Sequence, residues 1–328
     1  MDKTSRNHNG RELAYSRVST LTIVVVFLLI AIGGIVRSSG AGMGCPDWPK
    51  CFDQWVPPTS ESELPANYQQ IYHDRGYADT TFNAVKTWTE YLNRLFGVLT
   101  GGFIILHLIF ALRAYRTSNR LVVRLAFASL VLVLVQGGVG AFVVMTNLHQ
   151  GIITLHLVLA LAIAALLLAA RIYSRPYTVQ ASVAQLKSAR KLVLMVGVVL
   201  LWQMILGTQV REEVDAVSRQ LEGQSKQMWL RALGAVFSLH KLFSVVTLAS
   251  VVYLAYVLQQ YFRGQKLQNY GIFALLLTGA QLMTGVLLNQ FGLPAVPQAL
   301  HLVFSSLSFG LLFWIWADLH RSLKVNQG

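Results

Sequence analysis

The chain has 328 residues, of which 54% are hydrophobic and only 12% are charged, and its formal net charge is +13. So few charges cannot coat a soluble globule, and the apolar runs are too long for ordinary core helices. No nucleic-acid-binding motif accompanies the basic residues, so the positive charge indicates membrane topology and contact with anionic lipid instead.

Eight segments predict transmembrane helices. Each lacks Asp, Glu, Lys and Arg over roughly 17–21 residues, and at about 1.5 Å per residue each can cross a hydrocarbon core of about 30 Å with help from flanking residues. The first is too long for a signal peptide, and no small-residue cleavage site follows it. The segments are 18–36, 95–112, 125–145, 151–170, 192–210, 242–258, 270–288 and 299–317.

The loops between these segments differ in charge. Basic residues concentrate in the N-terminal tail, in the 113–124 and 171–191 loops, and near both 263–266 and 321–324, whereas most acidic residues lie in or beside the opposite loops. Cytoplasmic loops of membrane proteins carry the excess of Lys and Arg. The pattern therefore predicts that both termini are cytoplasmic.

The long first outer loop, 38–89, contains both cysteines of the chain, Cys45 and Cys51. A close cysteine pair outside the cytoplasm favours a disulfide over a metal site, since two cysteines make a poor metal cage. A structural clamp and a redox role both remain open for it. The shorter second outer loop, 211–235, carries Glu212, Glu213 and Asp215, which we expect to form a solvated face.

An internal repeat organises the chain. Gln136 and Gly140 are followed by a Leu-His-Leu triplet at His156, and Gln281 and Gly285 precede His301 at the same spacing. Asn93-Arg94-Leu-Phe aligns in the same way with His240-Lys241-Leu-Phe, and Gly34–Arg37 aligns with Thr208–Arg211. These matches predict two four-helix halves in one orientation, 1–180 and 181–328, related about an axis along the membrane normal.

The repeated histidines are interpreted as ligands of haem iron. Two histidines from facing helices of a four-helix bundle commonly hold a haem on both axial sides, and His240 and His301 form such a pair in the second half. Zinc is a weaker alternative because it prefers three or four protein ligands. A proton relay is a further alternative, although it does not require histidines in repeated register.

The first half offers a different ligand set. An amide is a poor iron ligand, so Asn93 leaves His156 as the single obvious one, with His149 as a second if the helix starts early. Glu90 lies one helical turn before Asn93, and it suits either a proton donor or base, or an acidic residue at a helix N-terminus. Four cations at the outer ends of helices are interpreted as partners of haem propionates: Arg37, Arg94, Arg211 and Lys241.

Taken together, the sequence resembles the haem A synthase family. The resemblance lies in Gly33–Pro49 (GGIVRSSGAGMGCPDWP), in Glu90-x-x-Asn93-Arg94, and in the second-half residues around Arg211, His240 and His301. It implies two four-helix bundles, haem b between His240 and His301, a substrate haem near His156, and a role for Glu90 in the oxidation. The departure is Asn93, where many members carry a second histidine.

The resemblance implies an enzyme that oxidises a ring methyl of haem O to the formyl group of haem A by successive hydroxylation, for haem–copper terminal oxidases. The expected location is the plasma membrane, with both sites near the extracytoplasmic face. Haem O synthase, terminal oxidase subunits and a second copy of the chain are candidate partners. The alternatives are a di-haem, quinol-oxidising electron-transfer protein and a haem carrier without turnover.

Overall fold

The computed structural model of the protein describes residues 3–78, 80–175, 179–221 and 226–326. The middle of the 171–191 connection, at 176–178, lies outside the described residues. Within the described residues the chain forms ten α-helices and no β-strand. They are α1 (Lys3–Ser38), α2 (Tyr68–Ile71), α3 (Ala84–Tyr115), α4 (Arg120–Met145), α5 (Gln150–Tyr173), α6 (Val183–Gln220), α7 (Lys226–Ala232), α8 (Ala235–Tyr261), α9 (Lys266–Gln290) and α10 (Ala295–Val325).

Eight of these helices are long and apolar enough to cross a membrane, which confirms the predicted segments. The other two, α2 and α7, are short and lie in the predicted outer loops. Polar side chains cap the N-terminal ends of several long helices. Asn83 accepts a hydrogen bond from the backbone of Lys86 at the start of α3, and Ser182 forms a capping box with Gln185 at the start of α6.

The long helices pack as two groups of four. In the first group α1 contacts α3 and α5, and α4 contacts the same two helices. In the second group α6 contacts α8 and α10, and α9 contacts the same two. Helix α10 also contacts α1 and α5, so the groups share one interface. These contacts are those that the two predicted halves require, while their relation by duplication stays a prediction.

The first part of the predicted second outer loop, 211–235, is helical and not a loop. Helix α6 continues past residue 210 to Gln220, so the acidic residues assigned to a solvated loop face lie on a helix instead. Glu212 is exposed, but Glu213 accepts a hydrogen bond from the Gly234 backbone at 2.8 Å. The side chain of Asp215 is only 16% exposed and is ion-paired. Hydropathy marks where a helix leaves lipid, and charged residues such as these can continue it into water.

Candidate functional site

The two second-half histidines face each other across a bundle. His240 on α8 and His301 on α10 have ring centroids 6.3 Å apart, with 64° between the ring planes. Two imidazoles that bind one metal from opposite sides, each through a bond of about 2.0 Å, have centroids roughly 6 Å apart. No group of three or more His, Cys, Asp or Glu is placed to hold a metal ion among the described residues. The pair fits an axially ligated haem iron.

Two neighbouring groups on α9 hold the ring of His301 in place. Its Nδ1 lies 3.0 Å from the carbonyl oxygen of Gln281 and 3.0 Å from the hydroxyl of Thr284. The carbonyl can only accept, so Nδ1 carries the proton and donates. The lone pair of Nε2 is then free for a metal, and the donated hydrogen bond increases its basicity.

Glycines on neighbouring helices make room for the histidine rings. A methyl group added at Gly207 would lie 3.3 Å from Cε1 of His240, and one at Gly285 would lie 3.5 Å from Cε1 of His301. The Gln203 amide also donates to the backbone oxygen of His240 at 2.9 Å. The Gln-x3-Gly spacing of the sequence therefore corresponds to a pocket for an imidazole.

In the first half, His156 on α5 lies in the equivalent place. A methyl group at Gly140 would lie 3.2 Å from its Cε1, and the Gln136 amide donates to its backbone oxygen at 2.9 Å. The Nδ1 of His156 and the Oδ1 of Asn93 are buried without a hydrogen-bond partner among the described residues. His149 precedes α5 as its N-cap and is exposed, so the early helix start that would make it a ligand does not occur.

Glu90 is buried within α3, with only 3% of its surface exposed, and it contacts the outer loop. One carboxylate oxygen accepts from the Cys45 backbone N–H at 2.9 Å, and the other accepts from Arg94 at 2.5 Å. Because Glu90 lies six residues inside the helix, its interpretation as an acidic residue at the helix N-terminus is not supported. Its carboxylate instead joins α3 to the cysteine motif.

The side chain of Arg94 binds backbone atoms of the same loop. Its guanidinium donates to the carbonyl oxygens of Asp47 at 2.7 Å, Lys50 at 2.9 Å and Cys45 at 3.3 Å. Five donors in a planar fork allow an arginine to bind several acceptors at once. Sequence comparison placed Arg94 next to a ligand position, but it could not reveal these loop contacts.

The outer loop is a compact unit around the cysteines. Cys45 and Cys51 form the predicted disulfide, with their Cα atoms 4.8 Å apart. Asp47 accepts from the backbone N–H groups of Phe52 and Asp53, both at 2.7 Å. Burial raises the pKa of Tyr77 above its ordinary range, so its neutral hydroxyl donates to the carbonyl oxygen of Met43 at 2.9 Å. A structural role and a redox role for this disulfide both stay predictions.

Two of the predicted propionate cations meet at one carboxylate between the halves. Arg211 lies 2.9 Å from Asp215 Oδ1, and Arg37 is ion-paired with Oδ2 of the same side chain. The Gln150 amide also donates to Oδ2, at 2.9 Å. The sequence analysis assigned Asp215 to a solvated face, although its position four residues after Arg211 on one helix was a signal for the ion pair.

Lys241 lies apart from this cluster. It is exposed, its Nζ is 4.4 Å from the ring centroid of Phe237, and it lines an open cavity of about 480 Å³ at the outer end of α8. Arg231, Asn289 and Gln290 line the same cavity, which is therefore cationic and polar.

We expect Arg94→Lys to loosen the cysteine loop without removing the positive charge. A lysine cannot reproduce the four hydrogen bonds of the guanidinium, and each lost bond of this kind costs about 1–3 kcal/mol. Hydrogen exchange across residues 45–53, followed by mass spectrometry, should become faster by about tenfold or more. Lys241→Gln, which changes a distant exposed charge, should leave this exchange unchanged. Equal exchange in the wild type and Arg94→Lys would contradict the assigned role.

Eight long apolar helices, with facing histidines inside a four-helix group, define the chain as a multi-pass helical membrane protein with a site that fits haem. Residues 16–316 match the model of the cytochrome oxidase assembly protein family. The match covers most of the chain, and the protein belongs to that family.

Relatives of known name are similar to the chain. Heme A synthase of Shewanella oneidensis is 29% identical over 57% of this chain and 54% of its own length. Heme A synthase of the Wolbachia of Brugia malayi is 31% identical over 45% of this chain and 47% of its own. The matches thus span about half of these two relatives. Heme A synthase of Geobacillus kaustophilus is 26% identical over 90% of this chain and 88% of its own.

Proposed function

We propose that the protein is a haem A synthase, a membrane oxidoreductase that converts haem O to haem A for the assembly of haem–copper terminal oxidases. The observation that carries the proposal is the His240–His301 pair, spaced for one haem iron, in a member of the cytochrome oxidase assembly family. The names of the relatives support the same activity.

In this proposal the second half holds haem b, bound by His240 and His301, and the first half receives haem O near His156. A bound haem b supplies one-electron redox chemistry. Arg37 and Arg211 together carry one more positive charge than Asp215 neutralises. Lys241 adds a further cation, and the charge of Arg94 is shared with Glu90. These four side chains are the proposed partners of the haem propionates.

Glu90 is the proposed proton donor or base of the reaction. Successive hydroxylation of the methyl group and the loss of water from the gem-diol both require proton transfer at the pocket, and a positioned carboxyl group there can supply or take up a proton. The Cys45 N–H and the Arg94 guanidinium orient the carboxylate through its two oxygens. The cysteine loop thereby fixes the position of this carboxylate.

The remaining assignments concern location and partners. We propose that the chain lies in the plasma membrane with both termini in the cytoplasm and with both haem sites near the extracytoplasmic face. Haem O synthase, terminal oxidase subunits and a second copy of the chain are the proposed protein partners. A di-haem electron-transfer protein would need two histidines in each half, whereas Asn93 occupies one of those positions.

Purification from cells that supply haem O tests this activity. The extracted pigments should contain haem A and its hydroxylated intermediate, and Glu90→Ala and Glu90→Gln should lower their yield by about 10²–10⁴-fold, the contribution of a positioned acid or base. Glu212→Gln, at an exposed carboxylate on the same side, should keep the wild-type yield. Unmodified haem alone, or a yield that Glu90→Ala does not change, would reject the proposal.

A further inference from the structure

The two histidine sites differ in how firmly they can hold a haem, and the internal repeat provides the comparison. His156 and His301 occupy one register, each beside the glycine that ends a Gln-x3-Gly motif. Thr284, directly before Gly285, corresponds to Val139, directly before Gly140. The following inference rests on the proposed function, because it assigns one site to a resident haem and the other to a substrate.

The first difference is the hydrogen bonding of the imidazole Nδ1 in His301 and in its counterpart, His156. Thr284 is buried, its hydroxyl donates to the Gln281 carbonyl at 2.8 Å, and it lies 3.0 Å from Nδ1 of His301. Valine at 139 has no hydroxyl, and Nδ1 of His156, like that of His240, has no hydrogen-bond partner among the described residues. The second-half site thus has one imidazole with a hydrogen-bonded Nδ1, His301, whereas the first-half site has none. An imidazole without an outer-shell acceptor is a weaker and less well oriented ligand.

The second difference is the opposite axial side. His240 fills the space above Gly207, where an added methyl group would lie 3.3 Å from its ring. The corresponding glycine in the first half is Gly33, and a methyl group there would have no neighbour within 4 Å. Asn93 is shorter than histidine, and its buried Oδ1 has no partner within the described part of the chain. The first-half site therefore has space and a free polar atom where the second has a ligand.

We propose that Asn93 and Val139 make the first-half site an exchangeable haem site with one open axial face, whereas His240 and Thr284 make the second-half site retain its haem. The first-half haem is bound through His156 alone. The open face beside Gly33 accepts a small exogenous ligand, and the Asn93 amide lines that face. An enzyme that must release its product needs this asymmetry between substrate and cofactor.

Haem transfer to apomyoglobin measures the asymmetry directly. The protein is loaded with two equivalents of haem b, and loss to excess apomyoglobin is followed by absorbance, without turnover. In the wild type one equivalent should leave at least about tenfold faster than the other, the lower bound for the loss of an outer-shell partner. The reduced wild-type protein should also bind carbon monoxide at the fast-leaving haem only.

Placing the residues of one site in the other should change how fast each site loses its haem. Asn93→His with Val139→Thr should slow the fast phase by about 10–100-fold, add a second low-spin haem and abolish carbon monoxide binding. The matched reverse variant, His240→Asn with Thr284→Val, should make both haems leave quickly. If the first double variant elutes as an aggregate, Val139→Thr alone, which adds only the hydroxyl, should still slow the fast phase.

Equal transfer rates for both wild-type haems, or a fast phase that neither Val139→Thr nor the double variant slows, would overturn the inference. The proposed activity is tested separately, because transfer uses haem b and no oxidation. A wild type that forms no haem A but shows one labile and one retained haem would reject the synthase and keep the site asymmetry.

Discussion

His301→Ala and His240→Ala are each expected to abolish the low-spin haem spectrum of the second half. Each variant removes one of two imidazoles whose centroids lie 6.3 Å apart, and no other histidine pair with this spacing occurs among the described residues. Loss of an outer-shell partner alone weakens metal binding by about 10–100-fold, and loss of the ligand itself should exceed that. Absorbance and electron paramagnetic resonance of the purified protein, with haem content per chain, measure the effect.

A matched control is available for this experiment. His149→Ala removes an exposed imidazole that precedes α5 and makes no side-chain capping bond, so it should leave the spectrum unchanged. Thr284→Val should give an intermediate result, because His301 keeps its place but loses one of two acceptors near Nδ1. Low-spin haem retained at wild-type level in both alanine variants would show that the pair does not hold it.

The sequence predicts the spans well because lipid imposes a simple rule on composition. All eight apolar segments lie in long helices, and the repeat predicted the pair His240 and His301, whose rings face each other. The internal repeat predicts that His240 and His301 lie at a similar depth along the membrane normal. It also predicts that their helices belong to the same four-helix half, and these two predictions suffice to pair the histidines.

Other contacts, between the two halves and between helices and loops, could not be predicted from the sequence. Arg37 and Arg211 were predicted as equivalent cations in separate halves, yet both bind Asp215 because α6 continues past the apolar segment to Gln220 and brings that carboxylate to the interface. Arg94 is a proposed propionate partner, but the sequence did not reveal that its guanidinium also contacts three carbonyl oxygens of the cysteine loop. Lateral packing of helices and loop conformation depend on pairs of residues distant in sequence, which a single chain does not reveal.

We expect Asp215→Asn to destabilise the protein strongly. The substitution leaves two guanidinium groups, 27% and 31% exposed, facing an uncharged amide. Removal of one partner from a buried ion pair costs about 3–5 kcal/mol, and partial exposure places this site near the lower end. A loss of that size should lower the melting temperature in detergent by about 5–10 °C at a fixed scan rate. Asp53→Asn, at an 82% exposed carboxylate paired with Lys50, should change it little.

The double variant Asp215→Asn with Arg37→Gln distinguishes charge repulsion from a simple loss of packing. Removal of one guanidinium relieves the repulsion that the first substitution creates, so the double variant should regain part of the lost stability. If the two effects instead add, each side chain contributes on its own and the cluster is not a coupled unit. If Asp215→Asn alone melts with the wild type, the carboxylate does not hold the halves together. Because Arg37 comes from α1 and Asp215 from α6, recovery in the double variant would identify an electrostatic contact that links the two halves.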